Sequence, residues 1–126
     1  MNWPEEGKVV SDYGFCQDRI YARRQLDGED WNIYDSVARR MERLVHPPDV
    51  LVHLDASPEI LLERIARRGR DFERVMTAGF LNDMRGAYAR YVAAADCPVL
   101  EVDCGAEDCR KPSALRTLIR RIEECP

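Results

Sequence analysis

The sequence predicts an α/β fold, a parallel sheet with helices on its faces. Two short apolar runs, Val50 to Leu54 and Val99 to Val102, have the character of buried parallel strands. Segments with helical apolar periodicity lie before, between and after them. No linker, internal repeat or low-complexity stretch divides the 126 residues, so one domain over residues 1–126 is expected.

In chain order, Lys8 to Ser11 is a brief strand candidate ending at Asp12. The segment Ser11 to Arg23 follows and carries Asp18 and Arg19. Charged residues just after a parallel strand sit at the carboxyl edge of the sheet, where open α/β folds bind ligands. An adjacent Asp-Arg that merely starts a helix is the plain alternative, as a surface ion pair worth little. Asp27-Gly28 signals a turn. A helix is then expected from Glu29 or Asp30 to about Val45. Ile33, Val37, Met41 and Leu44 form an apolar stripe, with Trp31 and Tyr34 beside it. His46-Pro47-Pro48 ends that helix, because proline cannot continue it.

After the run from Val50, Ser57-Pro58-Glu59 reads as a helix start. Ser caps, Pro suits the first helical position, and Glu suits the positive end of the dipole. Leu61, Leu62 and Ile65 share one face. The helix ends in Arg64, Arg67, Arg68 and Arg70, interrupted by Gly69. A capped helix leading to an Arg-rich, Gly-hinged loop is how a phosphotransferase presents a lid. Its guanidinium groups neutralise charge on a transferring phosphoryl group. Phe80 to Ala95 is a further amphipathic helix with Leu81, Met84, Tyr88 and Tyr91 or Val92 inward. Cys97-Pro98 breaks it. Val99 to Val102 follows, and Pro112 or Ser113 starts a last helix with Leu115, Leu118, Ile119 and Ile122 on one face.

Composition narrows the function classes. A hydrophobic content of 45% suits a globular protein, and a net charge of −4 lacks the basic footprint of a nucleic-acid binder. No apolar stretch approaches the roughly 20 residues that span a bilayer. MNWPEEGK has no signal-peptide core, so a cytoplasmic location is expected, with no nucleic-acid or membrane partner. The five cysteines fit reduced thiols, with Cys16 and Cys97 expected in the core. Cys104 and Cys109 have no His pair beside them, which supports a zinc site only weakly.

The stretch from Ser57 to Glu73 resembles the lid of the deoxynucleoside kinase family, S-P-E-x-x-L-x-R-I-x-x-R-G-R-x-x-E. Ser57, Pro58, Glu59, Leu62, Arg64, Ile65, Arg68, Gly69, Arg70 and Glu73 match every fixed position. Ser11 to Arg23 is similar to a second family signature, an acid-Arg-Ser triplet followed by Asp-Arg and an aromatic. Tyr13 and Gly14 stand where the triplet has Arg and Ser, as in an S-D-Y subgroup. The resemblance implies that Arg64, Arg68 and Arg70 stabilise the transferring phosphoryl group. It implies that Asp12 helps to hold Mg2+, and that Asp18 reads the base edge with Arg19 beside it. Glu73 would accept from the sugar 3′-hydroxyl, and Phe80 would lie near the substrate. The loop Asp103 to Asp108 would wrap the adenine of ATP through backbone groups, with Gly105 permitting close approach and Glu107 and Asp108 beside it. The helix with the Ile33 stripe would contribute to a homodimer. A carboxylate at Asp18 accepts from an exocyclic amino group, which favours deoxyadenosine or deoxycytidine.

The resemblance covers about the C-terminal three-fifths of such a kinase. No glycine here is followed by Lys-Ser or Lys-Thr, so the G-x-x-x-x-G-K-[ST] phosphate loop is absent from this sequence. So is the family's catalytic carboxylate. The expected fold is therefore an incomplete P-loop kinase-type sheet. In the family the P-loop strand lies between the strands matching Val9 and Val52. Marginal stability alone, re-paired strands, or rescue by a complementing N-terminal segment is expected. The implied reaction, transfer of the ATP γ-phosphoryl group to a deoxynucleoside 5′-hydroxyl, is expected not to run on this chain alone. A fragment, a split protein and a degenerate copy are all compatible with the sequence. The competing readings are a non-catalytic pseudokinase-like dimerisation module and a thymidylate-kinase-like nucleotide kinase.

Overall fold

A computed structural model describes residues 7–126, which divide into two compact units, one ending at His46 and one from Pro47 to Pro126. The first unit is a pair of helices. Helix α1 spans Phe15–Gln25 and α2 spans Gly28–Glu42. Gly28 takes φ 49°, a left-handed value that suits glycine and lets α2 begin directly after the turn.

The expected strand at Lys8 to Ser11 does not form. Val10 is 95% exposed, and the backbone from Lys8 to Ser11 has no strand geometry. A four-residue run has no stability without a neighbouring strand to take its amide and carbonyl groups. The α2 stripe also differs from a core stripe. Ala38 is buried, whereas Ile33, Val37, Met41 and Leu44 are all exposed. The inward side of α2 is instead lined by Trp31, Tyr34 and Ala38. Arg23 sits 4.7 Å from the Trp31 ring centroid, a cation–π contact between the two helices.

The second unit holds the sheet. Strand β1 (Leu51–Asp55) pairs in parallel with β2 (Val99–Asp103), Leu51 opposite Val99 and Asp55 opposite Asp103. The pairing extends beyond both strands, through Leu51 N to Pro98 O (3.0 Å) and Cys104 N to Asp55 O (2.7 Å). Among the described residues, β1 and β2 are the whole sheet. Three helices flank it: α3 (Pro58–Arg68), α4 (Ala78–Ala93) and α5 (Pro112–Glu123).

Local sequence explains these boundaries. The Ser57 hydroxyl accepts from the Ile60 amide at the start of α3, with Pro58 in the first turn. Gly69 ends α3 at φ 66°, its amide returning to the Ile65 carbonyl. The Thr77 hydroxyl accepts from the Phe80 amide at 3.1 Å, so α4 starts two residues earlier than Phe80. A short 3-10 turn, Asp71–Glu73, joins α3 to the segment before α4.

The core is thin. Among the described residues, the buried apolar ones are Ala38, Ala56, Leu81, Met84 and Ala114, and no large side chain is fully buried. Leu81 and Met84 occupy the inward positions expected for α4. On α5, Leu115, Ile119 and Ile122 stay partly in solvent. Cys16 and Cys97 are half-buried rather than core residues, and none of the five cysteines is in a disulfide.

Candidate functional site

In the second unit, the arginines of α3 reach two features, the loop after β2 at the carboxyl end of the sheet and the turn Asp71–Glu73. The sequence brings Arg64, Arg67 and Arg68 to the last turns of α3, where positive charge also suits the helix dipole.

Arg68 and Glu73 face each other. Arg68 Nε lies 3.1 Å from Glu73 Oε2, and its Nη2 lies 2.6 Å from Oε1. Arg70 Nη1 is 4.0 Å from the same carboxylate. Glu73 is only 5% exposed, the sole charged residue buried among those described. The turn at Gly69 makes this possible, because it folds residues 70–73 back along the end of α3. The two groups expected to meet a phosphoryl group and a sugar hydroxyl are thus paired with each other.

Arg64 has a different partner. Its Nη2 donates to the Cys104 carbonyl at 2.5 Å, which ties α3 to the loop after β2. A cleft of about 310 Å³ opens there, lined by Ile60, Arg64, Arg67, Cys104, Gly105 and Asp108, among others. Arg67 was not among the expected site residues. The helical repeat carries the signal, since it stands three residues after Arg64 on the same side.

The loop itself is shaped by Asp103. Its Oδ1 accepts from the amides of Gly105 (2.8 Å) and Ala106 (3.1 Å), an Asx-type turn. Gly105 is needed for a close approach within the protein. A Cβ there would lie 2.7 Å from Ile60 Cδ1. Glu107 is exposed, and its amide returns to the Asp103 carbonyl at 3.2 Å. The Asp108 carboxylate is held by Arg110 Nε and Nη2 at 2.9 and 3.0 Å, and this hydrogen bonding lowers its pKa to about 2.

Sequence reading missed a second carboxylate–guanidinium pair. Asp55, the last residue of β1, accepts from Arg85 of α4 through Nε at 2.8 Å and Nη2 at 2.7 Å. The Arg85 hydrogen bond holds the Asp55 carboxyl below its ordinary range. The available signal was Asp55 at the carboxyl end of a parallel strand. Its partner, 30 residues on, has no local signature. Phe80 lies in the first turn of α4, half-buried.

In the first unit, Asp18 and Arg19 do not pair with each other. Asp18 Oδ2 accepts from the Tyr34 hydroxyl at 2.7 Å. Arg19 reaches Asp35 at 2.5 Å and Glu42 at 3.3 Å. Neighbours on a helix point about 100° apart, so each finds its own partner on α2. Burial, followed by the Asp18 hydrogen bond, pushes Tyr34 up to about 12. Tyr13 is raised as well, by desolvation and then by the Asp18 charge. Asp12 is exposed. No group of three or more His, Cys, Asp or Glu among the described residues is arranged to hold a metal ion, and no described helix is long and apolar enough to cross a membrane.

A sequence profile of the deoxynucleoside kinase family matches residues 5–125, nearly the whole chain. The chain belongs to the deoxynucleoside kinase family. A deoxyadenosine kinase of Dictyostelium discoideum is 32% identical over 95 residues, covering 71% of this chain and 38% of that protein. A deoxyguanosine kinase of Bacillus subtilis is 27% identical over 105 residues, covering 79% of this chain and 51% of its own. The fold is similar to that of a deoxyadenosine kinase from M. mycoides solved with bound dCTP. Its TM-score is 0.69 at 18% identity, over 86% of this chain and 58% of that one. That likeness establishes the α/β kinase-type fold. The chain thus spans about half the length of the relatives that it matches.

Proposed function

We propose that this chain supplies the lid and nucleotide-loop half of a deoxynucleoside kinase, which transfers the ATP γ-phosphoryl group to a deoxynucleoside 5′-hydroxyl. The observation that carries the reading is the cleft that Arg64 and Arg67 line against the loop after β2, with Arg68 and Arg70 held at Glu73 beyond the end of α3. Guanidinium forks suit phosphate oxygens. Bound ATP would supply the phosphoryl group and Mg2+ would neutralise its charge, with Asp12 as this chain's carboxylate toward the metal. A lone carboxylate would suit Mg2+ only with phosphate oxygens and waters as its other partners.

The residues of this chain have separable tasks. Arg64 fixes the loop through the Cys104 carbonyl and shapes the cleft. Arg67 and Arg70 present charge to solvent and to anionic ligand. Gly105, Glu107 and Asp108 form the loop wall on the adenine side. Arg68 is shared. When a sugar hydroxyl donates to Glu73, the carboxylate still has lone pairs for Arg68. Phe80 in the second unit is assigned to the nucleoside, and so, in the first unit, are Arg19 and Asp18, with Asp18 accepting from an exocyclic amino group of deoxyadenosine or deoxycytidine. Lid closure excludes water as a competing acceptor. The reading places the reaction in the cytoplasm.

A phosphate loop and a catalytic base are not among these 126 residues, so turnover requires a segment that carries them. The test is thermal unfolding of the purified chain with deoxyadenosine, deoxycytidine, thymidine monophosphate and ATP–Mg2+. A rise in midpoint with a deoxynucleoside and with ATP–Mg2+ supports the reading. A response to the monophosphate alone points to a nucleotide kinase.

The exposed Ile33, Val37 and Met41 on α2, with Leu44 just past its end, favour a second reading, a non-catalytic module that dimerises through this face. Sedimentation that shows a dimer, together with no thermal response to any of the four ligands, selects it.

A further inference from the structure

Two thiols stand on either side of the loop that walls the cleft. Cys104 directly follows β2, and Cys109 lies five residues on. Their Sγ atoms are 3.8 Å apart, and both residues are half-buried. Both ends of this loop are anchored. The Cys104 amide donates to Asp55 and its carbonyl accepts from Arg64. Cys109 Sγ lies 3.9 Å from the Glu107 carbonyl, and the neighbouring Asp108 is clamped by Arg110. Of the four residues between the thiols, Gly105, Ala106 and Glu107 are folded onto Asp103. The thiols need to close by less than about 2 Å to reach bonding distance, a movement within the reach of side-chain rotation and a small loop adjustment.

We propose that Cys104 and Cys109 form a reversible, peroxide-driven disulfide that pins the cleft-lining loop. In the first step, the Cys109 thiolate attacks one peroxide oxygen. The O–O bond breaks, hydroxide leaves and takes up a proton as water, and Cys109 becomes a sulfenic acid. In the second, the Cys104 sulfur attacks the sulfenic sulfur. The S–O bond breaks, the thiol proton leaves with the hydroxide as a second water, and the disulfide forms. Two thiols and one hydrogen peroxide thus give one disulfide and two waters. Burial, and then its hydrogen bond with Cys109, push the Cys104 thiol up, which makes it the resolving partner. A dithiol reductant reverses the reaction by exchange. The lock is independent of what the cleft binds, so it stands or falls apart from the kinase reading.

The test treats the full chain with hydrogen peroxide and follows intact mass, peptide maps and hydrogen exchange. The expected result is the loss of two hydrogen atoms in mass and a Cys104–Cys109 cross-linked peptide. Exchange of the Gly105, Ala106 and Glu107 amides should slow several-fold, and dithiothreitol should restore the original rate. Cys109→Ser abolishes the cross-link. A variant in which Cys16, Cys97 and Cys125 are all serine retains it. Cross-links to those three cysteines instead, stable sulfinic acid at Cys109, or a Cys104–Cys109 bond with unchanged loop exchange would each overturn the proposal.

Discussion

At the scale of single residues, the Arg68–Glu73 pair joins structure to chemistry. Glu73 is buried and Arg68 is half in solvent, so the two partners are not equivalent. Removing Arg68 leaves a buried carboxylate with Arg70 as its remaining cation, at 4.0 Å. Removing Glu73 leaves a guanidinium that water can solvate. We therefore expect Arg68→Ala to destabilise the second unit by about 2 kcal/mol and Glu73→Ala by well under half of that. Arg68→Lys should recover only part, because a single ammonium cannot reproduce two parallel hydrogen bonds. Chemical denaturation of the three variants checks the order. In a completed kinase, Arg68→Ala should lower turnover far more than it weakens nucleoside binding, and equal loss of both would remove the catalytic role.

The second residue-scale expectation concerns pH. The folded pKa of Asp55 lies below its unfolded value because Arg85 favours the charged form. The stability it contributes is fully present above the ordinary carboxylate range. It is lost as pH falls through the folded value, where the unfolded chain has already taken up its proton. Unfolding midpoints measured from pH 7 down into the acid range should thus fall for the native chain. Asp55→Asn should be less stable at neutral pH and show a shallower fall, and parallel curves would remove the pair from the account.

At the scale of elements, local chemistry was legible and pairing was not. The start and end of α3 could be read from Ser57, Pro58 and Gly69, because caps act within one turn. The stripe on α4 could be read because Leu81 and Met84 follow the helical period. The Val9 strand could not be judged from its own residues, because a strand exists only by virtue of its neighbour. The same limit hid Asp55–Arg85 and the turn of Glu73 toward Arg68. Each depends on where a later segment returns, and apolar periodicity is silent on that. The caps give a direct prediction. Gly69→Ala places a Cβ at φ 66° and should cost about 1 kcal/mol through backbone strain alone, since no atom lies within 4 Å of that Cβ. Ser57→Ala should cost about 0.5 kcal/mol, at the low end for caps because its hydrogen bond is long at 3.4 Å. Their sum in the double variant, measured by urea denaturation, should be nearly additive, because the two act at opposite ends of α3.

At the scale of the molecule, the sheet and the apolar surface point to the same deficit. Strand β1 is paired along one edge only among the described residues, and the large apolar side chains on α2 and α5 remain in solvent. Exposed strand groups and apolar faces of this kind favour association. The α2 face can be separated from the sheet edge experimentally. Val37→Glu together with Met41→Glu places charge in the middle of the α2 stripe and touches neither β1 nor the lid. If α2 is the association surface, the double variant should sediment as a monomer at concentrations where the native chain self-associates, and its binding of an apolar dye should fall. It should unfold at the same denaturant concentration as the native chain measured at high dilution, since neither residue is buried. Persistent association of the variant would instead assign the contact to the open edge of β1, where main-chain hydrogen bonding is insensitive to these side chains.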